Sequence, residues 1–393
     1  MNSTPMPRAE LKAAISLSLV FFLRMLPLFM VLPVLVFAED TYAGASTHLL
    51  GLALGIYGLT QACLQIPFGI MSDRWGRKPI ITLGLIIFIL GSLLAATSDS
   101  VYGLIIGRAL QGAGAVAAAI MALAADLTSD EHRTKAMALI GMTIGLAFSI
   151  AFVVGPLLFS HIHINGLFYL SACLAILAIV TLWIIVPTPD HQQAPSPINL
   201  AGFKSVLANP RLIKLNISIF TTHLILMANF VVIPVELRDL ANISSDSHWQ
   251  VYLAVIFASL FIMVPFIIFS ERLKKEKLFF GLSLLLIFLS QTGLFLFDLN
   301  LSLIIVFMIL FFGAFNYLEA FLPSKVSKIS NKETKGTALG VYSSSQFIGI
   351  FIGGVAGGFI EENSGIASVH LFCMAILLLC IAIKFFWKEP EIN

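Results

Sequence analysis

Long apolar runs broken by short polar turns dominate this chain, and most runs are about as long as a helix that crosses a bilayer. A spanning helix needs roughly 20 mostly apolar residues. The pattern therefore predicts spans over residues 13–37, 48–70, 79–97, 100–127, 136–159, 164–187, 211–236, 248–270, 278–298, 300–322, 335–360 and 366–387. The polar stretch 1–10 precedes them, and the first run is too long for a signal-peptide core of roughly 7 to 15 residues, so it is read as a retained span.

Composition agrees with a chain that lives in lipid. Over 393 residues, 59% are apolar, 11% are charged and the mean hydropathy is +0.97, which leaves no surface for a soluble core. Charge adds a direction. With the N-terminal side called inside, twenty of the 23 basic residues fall on inner turns and tails, among them Arg8, Lys12, Arg74, Arg77, Lys78, Lys332 and Lys388. Arg238 alone lies outside, and Arg24 and Arg108 lie within spans. The positive-inside rule then places both termini in the cytoplasm. Glu39, Asp40, Asp99, Asp298, Glu361 and Glu362 fall on outer loops. The basic residues are sorted by loop and form no basic face, so no nucleic-acid partner is expected. Cys63, Cys173, Cys373 and Cys380 sit in apolar runs and are expected to be buried thiols.

The longest loop, residues 188–210, carries Pro189, Pro195, Pro197 and Pro210 and reads as a cytoplasmic linker. It separates a six-helix bundle over 1–187 from a second over 211–393. The halves echo one another at a shift of 200 residues: Thr134-Lys135-Ala136-Met137-Ala138-Leu139 against Thr334-Lys335-Gly336-Thr337-Ala338-Leu339, and Cys173 against Cys373. The predicted fold is all-α and integral to the membrane, twelve transmembrane helices in two pseudo-repeated six-helix bundles. Such parallel repeats suit alternating access around a site near mid-membrane.

Polar residues inside spans mark the candidate pathway, because they are costly in lipid and usually face a cavity or a partner. Arg24 lies about 18 Å along span one from Lys12. Tyr57, Gln61 and Gln65 form a stripe at helical spacing on span two, and Arg108 and Gln111 share a face of span four. His223 lies about 18 Å into span seven. Asn316 and Glu319 on span ten, with Tyr342, Ser345, Gln346 and Gly349 on span eleven, complete a predicted central cavity. Glu319 reads as the only carboxylate well inside a span and is the first candidate to carry a proton. His223 is the second, since imidazole ordinarily titrates near neutral pH. Small-residue clusters at 112–119 and 353–358 read as close helix packing. No nucleophile with a base and no strong metal-ligand pattern appears, His161 and His163 being a weak pair, so an enzyme is not expected and no cofactor is implied.

The turn Gly69-Ile70-Met71-Ser72-Asp73-Arg74-Trp75-Gly76-Arg77-Lys78 carries a resemblance. Its Gly69, Asp73, Arg74, Gly76, Arg77 and Lys78 are similar to the signature between spans two and three of the major facilitator superfamily. Arg108, Gln111, Gly112 and Gly114 resemble a second motif of its proton-driven drug antiporter branch, and Gly155-Pro156 resembles the core of the antiporter motif. Leu23-Arg24-Met25-Leu26, the 55–61 stretch, 107–112 and Gly340-Val341-Tyr342-Ser343 followed by Ser345-Gln346-Phe347 resemble bacterial YajR-type transporters.

The resemblance implies that Asp73 faces the start of span eleven near Gly336 and Thr337, where a helix N-terminus favours negative charge, and that Arg77 pairs with Asp126. Together they would latch one conformation. Gly69 would allow close helix approach, and Gly76 the turn. Two departures stand out: Ala151 and Phe159 occupy positions where the antiporter motif usually has glycine, and the chain ends at Asn393, where YajR-type proteins carry a further cytoplasmic domain, here either absent or removed. The implied function is secondary transport in a bacterial inner membrane, a proton-coupled efflux of amphipathic small molecules by a monomer, with protons, substrate and lipid as its partners. An importer or facilitator of a specific metabolite, or a non-transporting sensor on the same fold, stays open.

Overall fold

The computed structural model describes residues 5–188, 200–331 and 334–386. The linker prolines Pro189, Pro195 and Pro197, and Lys332, Trp387 and Lys388, lie outside the described residues.

Thirteen α-helices follow one another among the described residues: α1 (Arg8–Met30), α2 (Thr47–Trp75), α3 (Arg77–Thr97), α4 (Val101–Ala113), α5 (Ala117–Asp126), α6 (Asp130–Ile184), α7 (Leu200–Ala208), α8 (Pro210–Asp239), α9 (His248–Arg272), α10 (Glu276–Leu296), α11 (Leu301–Ile329), α12 (Lys335–Ser364) and α13 (Ile366–Phe386). Among the described residues, eleven helical stretches are long and apolar enough to cross a membrane, counting α4 and α5 as one. The Glu131–Ile184 stretch is 54 residues long and breaks at His163, whose φ of 55° is non-helical, so it supplies two crossings and the total is twelve. The pattern of apolar runs did not reveal that α6 continues from span five into span six with one residue at the break.

The helix ends follow from local chemistry. Gly76 has φ 95°, a conformation that a side chain disfavours, and it ends α2 and starts α3 within one residue. Asn209 caps α8 by accepting from the amides of Arg211 and Leu212, with Pro210 in the first turn, where its missing N–H costs nothing. Asn300 caps α11 through Leu303. The linker is not wholly irregular: α7 occupies Leu200–Ala208.

The chain divides into two compact units, Met1–Gly44 with Thr60–Ile198, and Ala45–Leu59 with Asn199–Asn393. In the first, α1 packs along α6, and α3 packs on α4 and α6. The α3–α4 seam is a backbone contact: a Cβ on Gly91 would lie 2.5 Å from the Gly107 carbonyl oxygen, and one on Gly114 would lie 2.3 Å from that of Gly84. In the second, α8 is buried along most of its length and packs chiefly on α12. A Cβ on Gly349 or Gly353 would meet the carbonyl oxygen of Phe220 or Leu224 at 2.3 and 2.2 Å. The small-residue clusters therefore do set helix approach, as expected.

The cysteines depart from expectation. Cys373 and Cys380 are buried, but Cys63 and Cys173 are exposed. An apolar run in lipid has an outward apolar face, so residence in such a run does not imply burial within the protein.

Candidate functional sites

The α2–α3 turn is held by three charges. The Arg77 guanidinium donates through Nε to Asp126 Oδ2 at 2.8 Å, through Nη1 to Ser72 Oγ at 2.9 Å, and through Nη1 to Asp73 Oδ1. The Asp126 side chain is 2% exposed and that of Asp73 31%. Arg77 therefore joins the carboxylate ending α5 to the one near the end of α2, and the expected Arg77–Asp126 pair is present. Lys78, the last residue of the same signature, is engaged apart from them: its Nζ donates to the Val186 carbonyl at 2.7 Å and lies 5.6 Å from the Trp183 ring centroid. It closes the end of α6, where carbonyl groups favour a cation. Arg74 is exposed. Gly69 makes no forced approach, since a Cβ there would meet Ala118 at an ordinary 3.5 Å. Gly336 and Thr337 lie in the first turn of α12, which has no side-chain cap.

Deeper in the same unit, Arg24 is 1% exposed. Its Nη2 donates to Gln61 Oε1 at 2.9 Å and to the Gly114 carbonyl at 3.2 Å, and its guanidinium carbon lies 5.5 Å from the Phe88 ring centroid. The Gly114–Val116 break between α4 and α5 presents a carbonyl to the interior, and Arg24 takes it up. A second network adjoins: Arg108 Nη1 donates to Gln111 Oε1 and Gln111 Nε2 to Ser92 Oγ, both at 2.8 Å. Gln65 is buried on α2 with Gln61, while Tyr57, also buried, lies on the part of α2 that belongs to the second unit. Gly155, beside Pro156 in α6, packs against α1: a Cβ there would lie 2.4 Å from the Met30 carbonyl oxygen.

In the second unit the structure brings three candidates together. Gln346 Nε2 on α12 lies 2.7 Å from His223 Nε2 on α8 and 3.2 Å from Glu319 Oε1 on α11. His223 Nε2 is 3.6 Å from Glu319 Oε2. Since the Gln346 amide is a donor, His223 accepts at Nε2, and its Nδ1–H donates to the Ile219 carbonyl at 3.2 Å. Tyr342 is buried and its hydroxyl has no partner among the described residues. Asn316, grouped with Glu319 by helical spacing, instead donates to Ser259 on α9 at 3.4 Å. Ser345 closes onto its own helix at Val341.

Two polar clusters are not visible from helical spacing. Glu236, at the end of the predicted seventh span, is 1% exposed, so it is more deeply held than Glu319, whose side chain is 40% exposed. Its Oε1 lies 2.9 Å from His370 Nε2, and His370 Nδ1 lies 3.0 Å from Gln291 Oε1. The signal was present in a histidine and a glutamine set within otherwise apolar runs. In the first unit, Glu10 Oε2 meets His132 Nδ1 at 3.0 Å and Ser129 Oγ at 3.3 Å.

The comparisons with known proteins agree with this architecture. The chain is 45% identical over 392 residues to the inner membrane transport protein YajR of Escherichia coli, covering 99% of this chain and 86% of that one. The multidrug resistance protein MdtH of Aeromonas salmonicida is 23% identical, with 96% of each chain covered. Among solved structures, a bacterial homologue of the human lysosomal transporter Spinster superposes with a TM-score of 0.77 at 15% identity, over 97% of both chains, a likeness of fold alone. The Major Facilitator Superfamily model matches residues 17–318 and 215–392. The chain belongs to the Major Facilitator Superfamily.

Proposed function

We propose that this membrane transporter works in a bacterial inner membrane, with both termini cytoplasmic, and couples proton entry to the efflux of amphipathic small molecules by alternating access. The observation that carries the coupling is the convergence of Glu319, Gln346 and His223 from three helices on one polar cluster. Glu319 binds and releases the proton. Gln346 holds the ionised carboxylate through its amide, and His223 receives the same amide, so a change of charge at Glu319 is felt on α8 and α12 together. Arg24, Tyr57, Gln61, Gln65, Arg108 and Gln111 offer donors and acceptors to the polar part of a substrate, as do Asn316, Tyr342 and Ser345. Asp73, Arg77 and Asp126 fix the shape of the α2–α3 turn and serve as the latch of one conformation. The names of the relatives, an inner membrane transport protein and a multidrug resistance protein, support transport and efflux respectively.

Substrate-induced proton release tests this reading. With ethidium as the amphipathic probe and purified protein in weakly buffered detergent, the wild type is expected to release protons on ethidium addition. Glu319→Gln is expected to bind ethidium without release. Unchanged release in the variant would refute Glu319 as the carrier.

A further inference from the structure

A groove of about 370 Å³ runs along the outside of the first unit. It is formed by Arg8, Leu11, Lys12, Ile15, Ser16 and Leu19 of α1 with Ile185 just past the end of α6. Its two ends differ in chemistry. Arg8 and Lys12, one turn apart, are exposed and make no ion pair among the described residues. Glu10, the acid of that same turn, is committed to His132. Below the two cations Leu11, Ile15 and Leu19 follow at four-residue spacing, each at least 41% exposed, with Ile185 facing them across the groove.

We infer that this groove holds an anionic phospholipid of the leaflet on the basic side of the protein, its phosphate between Arg8 and Lys12 and one acyl chain along Leu11, Ile15, Leu19 and Ile185. Three observations select a lipid over a soluble anion or a protein. The cations stand at the N-terminus of α1, whose N-cap Pro7 offers no side-chain cap, so unsatisfied amides add to their attraction for a phosphate. From Arg8 to Leu19 the groove runs about 16 Å at 1.5 Å per residue. That is close to one leaflet, half of a hydrocarbon core roughly 30 Å thick. Trp183 near the end of α6 is 54% exposed and donates its indole N–H to Thr82 Oγ1, the placement of an interfacial aromatic. A headgroup at Arg8 and Lys12 therefore lies at the depth where lipid phosphates lie.

Native mass spectrometry of the full chain, delipidated and then titrated with phosphatidylglycerol or phosphatidylcholine of the same acyl chains, tests the assignment. Wild type is expected to retain phosphatidylglycerol about thirtyfold better than phosphatidylcholine, the worth of two cations beside an anionic headgroup. Arg8→Gln with Lys12→Gln is expected to erase that preference. Both residues are exposed, so the fold is expected to stand. Ile15→Trp, which fills the apolar end, is expected to lower retention of both lipids. The assignment is overturned by equal retention of the two lipids in wild type, by an unchanged preference in the charge variant, or by full retention in Ile15→Trp. Displacement of phosphatidylglycerol by millimolar inorganic phosphate would also overturn it, because the acyl chain would then contribute nothing.

Discussion

Arg77 Nε donates to Asp126 Oδ2 at 2.8 Å and joins the start of α3 to the last residue of α5, with the Asp126 side chain almost wholly buried. Removing one member of a buried pair strands the other, at a cost of about 3–5 kcal/mol. Asp126→Asn is thus expected to lower the unfolding midpoint in detergent clearly. Asp73→Asn, whose side chain is 31% exposed, is expected to cost much less. Equal losses in the two variants would show that burial does not set the strength of this network.

Arg24 makes two contacts that a lysine cannot reproduce in one geometry, to Gln61 and to the Gly114 carbonyl at the α4–α5 break. Arg24→Lys is expected to keep the protein folded but weaken one of them, a loss of about 1–3 kcal/mol when a buried acceptor is left unmade. Ethidium affinity, measured by fluorescence, is expected to change more than expression level. Unchanged affinity would remove Arg24 from the substrate pathway.

Much of this arrangement was legible in the sequence because a spanning helix announces itself by length and apolarity, and a charged residue inside one is conspicuous. Arg24, Arg108, His223 and Glu319 were all visible on that ground. Which of them meet was less visible. Helical spacing groups residues on one helix, so it paired Asn316 with Glu319, whereas the packing of α11 turns Asn316 to Ser259 on α9. Glu236 escaped because it lies where a span was read to end, a position at which an acid normally reaches water. The exposed thiols of Cys63 and Cys173 escaped because hydropathy does not separate a lipid-facing position from a core position.

The Glu236–His370 contact gives a double-mutant cycle. Glu236→Met or His370→Leu alone leaves a buried polar partner unmade and is expected to destabilise by about 1–3 kcal/mol, while the two together, which still strand Gln291, are expected to cost less than the sum of the two. The checking measurement is the unfolding midpoint of wild type, both single variants and the double variant. Simple additivity would mean that the 2.9 Å contact carries no coupling.

Gly353 packs against the backbone of α8 so closely that an added Cβ would lie 2.2 Å from the Leu224 carbonyl oxygen. Gly353→Val is expected to force α12 from α8 and cost about 1–3 kcal/mol or more by overpacking. Gly281, where a Cβ would meet nothing within 4 Å, is the control, and Gly281→Ala is expected to leave the midpoint unchanged or slightly raised. Equal midpoints for the two variants would contradict close packing at Gly353.

The central claim is that Glu319 couples protons to substrate. Proteoliposomes separate the coupled step from substrate passage: ethidium movement driven by a pH gradient needs the carboxyl group, while ethidium counterflow without a gradient does not. Glu319→Gln is expected to abolish gradient-driven movement and retain counterflow. Gradient-driven movement at the wild-type rate in Glu319→Gln, or no ethidium movement by the wild type with or without a gradient, would contradict the account.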